Sequence, residues 1–176
     1  MKKILYIFVC MLALGCKKEV EINGPIFGEN SDASCKKNGK FMRATVTAND
    51  IKPHEDLFEL LIGTGTDVIL VREGIRTSFL TYEKGKYKVY KYRNNNDFST
   101  IISSYSIGHT DLLGDLYDID ESKTNFVEIT EIDVIEKTVK GKFQLNFIIQ
   151  DSKNKVEKKS PNKVSFTEGV FETKIN

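Results

Sequence analysis

The strongest pattern in the chain is alternation near its C-terminal end. From Val139 to Ile149, Val139, Gly141, Phe143, Leu145, Phe147 and Ile149 share one parity, while Lys140, Lys142, Gln144 and Asn146 share the other. A period of two is that of a strand with one face in a core and the other in water. Phe126 to Ile132 reads as its antiparallel partner, across a turn from Asp133 to Thr138, and Lys163 to Ile175 reads as a closing strand or pair. Within that closing segment Val164 and Phe166 hold one parity and Phe171 and Ile175 the other. A bulge at Glu168-Gly169 would reset the face, so substituting Gly169 is expected to cost stability.

Upstream, the turn dipeptide Asn38-Gly39 precedes Phe41 to Thr47, where Met42, Ala44 and Val46 alternate with Arg43, Thr45 and Thr47, giving a first strand. Leu57 to Thr64 and Asp67 to Glu73 read as strands split by a Gly63-Thr64-Gly65-Thr66 hairpin turn. Pro53 before Glu55 and Asp56 offers a helix start instead, but Ile62 and the glycines leave that helix no room. Ile75 to Tyr82 and Lys86 to Arg93 form a hairpin around Lys84-Gly85, Asn94 to Asp97 a loop, and Phe98 to Ile107 a long strand. His109 to Lys123 reads as a long acidic loop around one short strand. The fold class is all-β, with roughly nine or ten antiparallel strands. A two-sheet β-sandwich is the leading expectation and a lipocalin-like β-barrel the alternative. A barrel can enclose an apolar ligand, whereas a sandwich binds through loops or an exposed sheet.

The beginning of the chain decides where this domain lives. Lys2 and Lys3 precede an apolar run from Ile4 to Leu14, and Ala13-Leu14-Gly15-Cys16 sets small residues beside a cysteine. The run is about half the roughly twenty residues a spanning helix needs, which makes it a secretory signal and not a membrane span. It resembles a bacterial lipoprotein signal, with Ala13 where the usual leucine stands. That resemblance implies residues 1–16 as signal ending at a lipidated Cys16, and the membrane as a partner through that lipid. Residues 17–34, rich in Gly, Pro, Asn and Ser, read as a flexible tether, and residues 35–176 as one domain. The charged start Lys17-Lys18-Glu19-Val20-Glu21 looks like the tracts that follow the acylated cysteine in surface lipoproteins of the Bacteroidota. The expected place is the outer membrane, exposed at the surface or facing the periplasm.

Composition narrows the partners. Formal net charge is +1, and loss of Lys2 and Lys3 takes it to −1, so no overall field attracts nucleic acid. Of the three cysteines, Cys10 leaves with the signal and Cys16 carries lipid. Cys35 is then left without a disulfide partner in the mature chain and is expected to be packed and inert.

Three motifs are similar to those of a family of small, uncharacterised all-β lipoproteins of the Bacteroidota. They are Val127-Glu128-Ile129-Thr130-Glu131-Ile132-Asp133, then Val139-Lys140-Gly141-Lys142-Phe143, then Val164 to Phe171 with Thr167, Gly169 and Phe171. The Asn38-Gly39-Lys40 turn matches as well. Lys142 stands where that family carries a serine or threonine. The resemblance implies a fold and a location and assigns no activity.

Signals for chemistry are sparse. The two histidines, His54 and His109, sit in no HExxH, CxxC, GxSxG or phosphate-loop pattern. His109 with Asp111, Asp115 and Asp118 lacks calcium-loop spacing and reads as a solvated acidic loop, so no metal or cofactor is expected. The other tract that stands out is Glu83 to Arg93, in which Tyr87, Tyr90 and Tyr92 interleave with Lys86, Lys88, Lys91 and Arg93. Tyrosines beside cations stack on sugars and pair with anions, while the plain alternative is an amphipathic strand whose lysines protect an edge. The expectation is a non-catalytic envelope lipoprotein that binds an envelope protein or glycan. Its candidate ligand residues are Tyr87, Tyr90, Tyr92 and Lys88, and a purely structural envelope role is the alternative.

Overall fold

The computed structural model describes residues 32–66, 69–93, 98–109, 112–151, 155 and 160–176. Cys16 and the rest of residues 1–31 lie outside that set. The described chain is built of ten strands: β1 (Asp32–Lys37), β2 (Lys40–Ile51), β3 (His54–Thr66), β4 (Ile69–Thr81), β5 (Gly85–Lys88), β6 (Ile102–His109), β7 (Leu112–Ile119), β8 (Phe126–Asp133), β9 (Thr138–Ile149) and β10 (Lys163–Lys174).

The strands form one sheet in which β10 pairs with β9 on one edge and with β1 on the other, closing an eight-stranded antiparallel barrel. The two-sheet sandwich is therefore corrected: among the described residues one sheet curls on itself until its last strand meets its first. The alternation that fits both folds is the same in each, because a barrel interior is the inner face of one sheet.

Ten strands make eight lanes because two lanes are shared. Along one edge of β9, β7 pairs with residues 147–149 and β8 with residues 138–144. On the far side of that lane, β6 pairs with β7 and β5 with β8. A parallel bridge from Tyr90 to Ile102 joins β5 to β6, so the chain leaves the lane after Tyr90 and returns to it at Ile102.

Inward-facing residues fill the barrel. Tyr105 is buried among them, with ring centroids 5.0 Å from Tyr117, 5.6 Å from Phe147 and 5.2 Å from Phe166. The space left beside Cys35, Met42, Tyr105 and Phe166 is about 10 Å³, room for about one water. An eight-stranded barrel is just wide enough for its own side chains, and this one holds them in place of an enclosed ligand. Across the mouth, Lys37 of β1 pairs with Glu73 of β4 and lies 5.6 Å from the Tyr105 ring centroid.

Local structure agrees with several sequence expectations and revises others. Asn38-Gly39 is a two-residue turn, with φ of 49° and 80°. Phe126–Asp133 and Thr138–Ile149 pair as expected, and the β10 register jumps between Phe166 and Gly169, with Glu168 at φ 53°. Gly63 to Thr66 is not a turn but the end of β3, and Gly63 pairs with Gly74 in mid-strand. The expected hairpin around Lys84-Gly85 does not form a ladder, since β5 pairs with β8 and not with β4. The acidic stretch after His109 contains the eight-residue strand β7. β1 takes in Asp32, Ala33 and Ser34, the last residues of the stretch read as tether, because Ala33 is buried against β10 and β2.

Candidate ligand-binding groove

The Tyr and Lys tract borders a groove of about 610 Å³, within the range of small-ligand sites. It originates in the backbone of β4. Phe58 pairs with Leu80 and Leu60 with Thr77, so Ser78 and Phe79 together oppose Glu59 alone. This is a bulge, and Phe79 takes φ 70° within it. Thr77 and Leu80 are both buried, which turns the two residues between them away from the core. The ladder from β4 to β6 stops at Ser78 and Ile102. Below it β4 and β5 run past each other without a described ladder, and the groove occupies that seam.

Phe79 forms one wall. Its ring meets Phe98 edge-on at 5.2 Å, and Phe98 packs on His54 at 4.3 Å. His54 is thereby part of the aromatic support of the groove. The other side comes from β5 and the residues after it, Tyr90 to Arg93, with Ile101 and Ile102 beneath. Val89 is buried and its N–H donates to the Asn125 carbonyl at 3.2 Å. The Tyr90 N–H donates to Ile101 O at 2.9 Å, and Tyr90 O accepts from the Ser103 N–H at 3.1 Å. The backbone that carries the outward side chains is thus fixed at both peptide groups of Tyr90.

The four candidate residues fall into two roles. The Tyr87 hydroxyl donates to Glu83 O at 2.8 Å and accepts from Thr81 Oγ1 at 2.9 Å. Its ring packs on the core, so it holds the seam together while lining it. Tyr90, Tyr92 and Lys88 present groups to the groove, Tyr92 being 61% exposed. The Lys88 ammonium sits 5.0 Å from the Tyr90 ring centroid and that of Lys86 3.8 Å from Phe126, within reach of cation–π attraction. Arg93 donates from Nη2 to both carboxylate oxygens of Glu121 at 3.1 Å. The described lining holds four cations, Lys86, Lys88, Lys91 and Arg93, and no carboxylate. Sequence reading passed over Phe79 and Phe98, for which the only local sign is that each is a large apolar residue flanked by Ser or Asp.

Among the described residues the acidic stretch assembles no metal site. Asp115 is buried inside the barrel, whereas Asp118, three residues on, has the opposite parity and accepts from Gln150 Nε2 at 2.9 Å. Asp111 and the His109 side chain lie outside the described set. Among the described residues no group of three or more His, Cys, Asp or Glu is placed to hold a metal. Cys35 is buried, and that burial pushes its thiol up to about 11, against a smaller opposing effect of Lys37. A thiol so disposed is a packed apolar group and not a nucleophile. Tyr105 is also buried, its hydroxyl faces the Glu73 carboxylate without a hydrogen bond of normal geometry, and burial first and the Glu73 charge second hold its pKa far above the usual tyrosine value.

The chain matches no known family, no curated protein and no solved structure.

Proposed function

We propose that this chain is a non-catalytic, lipid-anchored envelope protein of the small Bacteroidota type, whose barrel binds a ligand in the groove between β4 and β5. The observation that carries the reading is that groove, about 610 Å³ with cations and aromatic rings on a rigid backbone, beside a barrel interior already occupied by side chains. Charged and aromatic groups that a core does not require are costly to collect on one exposed face unless they recognise something. The lysine-then-apolar-then-cysteine start to Cys16 supports the anchor, and the cations and rings of the groove lining support recognition.

The anchor is tested by following a Cys16→Ala variant, which is expected to leave the membrane fraction. Protease treatment of intact and lysed cells then reads which side the barrel faces. The groove is tested by acylating lysines of the purified protein with and without envelope protein and polysaccharide fractions. Protection of Lys88 and Lys91, with Lys40 and Lys174 unaffected, supports the groove. Equal labelling of all four in every fraction overturns it and leaves the structural role.

A further inference from the structure

Resting on that reading, we infer that the groove takes an acidic saccharide, a sugar chain bearing carboxylate or sulfate groups, in place of a peptide or a neutral glycan. Three observations point the same way. The first is charge: four cations and no carboxylate among the described lining residues leave a neutral or basic ligand with nothing to offset the desolvation of Lys88 and Lys91. The second is the nature of the apolar surface. It is supplied largely by rings, Phe79, Tyr90, Tyr92 and Phe98, whose flat faces suit the apolar face of a pyranose while their edges leave its hydroxyls in water.

The third observation argues against a peptide. An extended peptide gains most of its affinity by adding to an open strand edge. At Tyr90 both the N–H and the C=O are already bonded, to Ile101 and Ser103, and the Val89 N–H is taken by Asn125. At Tyr90 the groove therefore offers a peptide side chains and no free backbone group. Lys88 and Lys91 take the acid groups, Tyr90 and Tyr92 the ring faces, and Arg93 is already engaged by Glu121.

The test is isothermal titration of the purified protein with polygalacturonate and chondroitin sulfate, with dextran as the neutral sugar and polyglutamate as the acid without sugar. Binding to an acidic glycan that weakens as salt rises is expected. The double variant Lys88→Glu/Lys91→Glu is expected to lose about a hundredfold, and Tyr92→Ala about tenfold, in affinity. Tyr92 is largely exposed, so Tyr92→Ala should melt with the wild type and report binding alone. Equal affinity for polyglutamate makes the site a mere charge sink and overturns the saccharide. Equal affinity for dextran overturns the acid. If neither acidic glycan binds while an envelope protein fraction still protects Lys88 and Lys91 from acylation, the ligand class is wrong and the groove stands. If nothing protects those lysines, the underlying reading falls with it.

Discussion

Two glycines on neighbouring strands are each covered by a phenylalanine of the other strand, and the geometry predicts which tolerates a methyl group less. Gly169 of β10 pairs with Phe143 of β9, and Gly141 of β9 pairs with Phe171 of β10. A Cβ at Gly169 would come within 2.5 to 2.6 Å of three Phe143 ring atoms. At Gly141 it would meet Phe171 ring atoms at 2.5 and 2.7 Å and also the Glu128 backbone carbonyl at 2.3 Å. A ring can tilt a little, whereas a carbonyl held in the β8–β9 ladder cannot move without breaking register. Overpacking costs about 1–3 kcal/mol, and Gly→Ala returns about 0.4–1 kcal/mol through the unfolded chain. Gly169→Ala should therefore lose about 1 kcal/mol and Gly141→Ala about 2–2.5 kcal/mol. The chain has no tryptophan, so urea unfolding is followed by far-ultraviolet circular dichroism, with the midpoint read at constant slope. Pairing Gly169→Ala with Phe143→Leu should recover at least about 0.5 kcal/mol of the summed cost, since the two sites share one volume. A Gly169→Ala variant as stable as the wild type, or one less stable than Gly141→Ala, would refute the account.

Two buried tyrosines differ in how well their hydroxyl is bonded. Tyr105→Phe should cost less than Tyr117→Phe, because the Tyr105 hydroxyl faces the Glu73 carboxylate without a hydrogen bond of normal geometry, while Tyr117→Phe should lose about 1 kcal/mol with its 2.8 Å bond to Pro161 O; equal losses would sink the distinction. Cys35, its thiol pushed up to about 11 by burial, should resist a thiol reagent at neutral pH until the protein is unfolded, and fast labelling mapped to that residue would show the barrel open there. The Asp50 carboxylate is held below its ordinary range, first by the Tyr82 hydroxyl and further by Lys137. Its contribution is present above the unfolded value near 3.9 and is lost as pH falls through the folded one, so Tyr82→Phe should flatten the acid limb of a stability–pH curve; an unchanged limb would remove Asp50 from it. Burial raises the pKa of Tyr82, Tyr105 and Tyr117, so stability should fall as pH climbs past about 10, the unfolded tyrosine value, and a flat alkaline limb would contradict that.

The strands that alternate cleanly were legible because burial on one face alone imposes a period of two. β9, β8 and the bulged β10 come straight from their sequences. The closure into a barrel was not, because it depends on which edge β10 meets at each side, and edges leave no mark on side-chain parity. Gly63 to Thr66 has turn-like composition yet continues β3, since Gly63 faces Gly74 in the ladder and tertiary pairing overrides local preference. β1 was hidden for a similar reason: six residues with two buried positions, Ala33 and Cys35, give too short a pattern to stand out from a polar spacer. The candidate tract was visible as interleaved Tyr and Lys. Its division of labour was not, since Tyr87 and Tyr90 look alike in sequence and only the bonds to Thr81 and Glu83 show that one of them braces the seam.

The groove and the barrel's irregular topology have one cause. An uninterrupted strand running from the position of β5 through that of β6 would ladder with β4 along its whole length and leave no seam. The chain breaks that lane after Tyr90 and resumes it at Ile102, and the Ser78–Phe79 bulge turns β4 outward at the same level. The ladder bonds forgone between β4 and β5 are offset elsewhere: β5 is held by β8, and Tyr87 ties the turn with its hydroxyl. Inward side chains such as Tyr105, Phe143, Phe147 and Phe166 are buried in the interior, and the recess described on this fold comes from a gap between lanes. That places stability and recognition on different residues. Phe143, Phe171 and the glycines beneath them govern closure, while Lys88, Lys91 and Tyr92 project from a backbone already fixed at Val89 and Tyr90 and can change without opening the barrel.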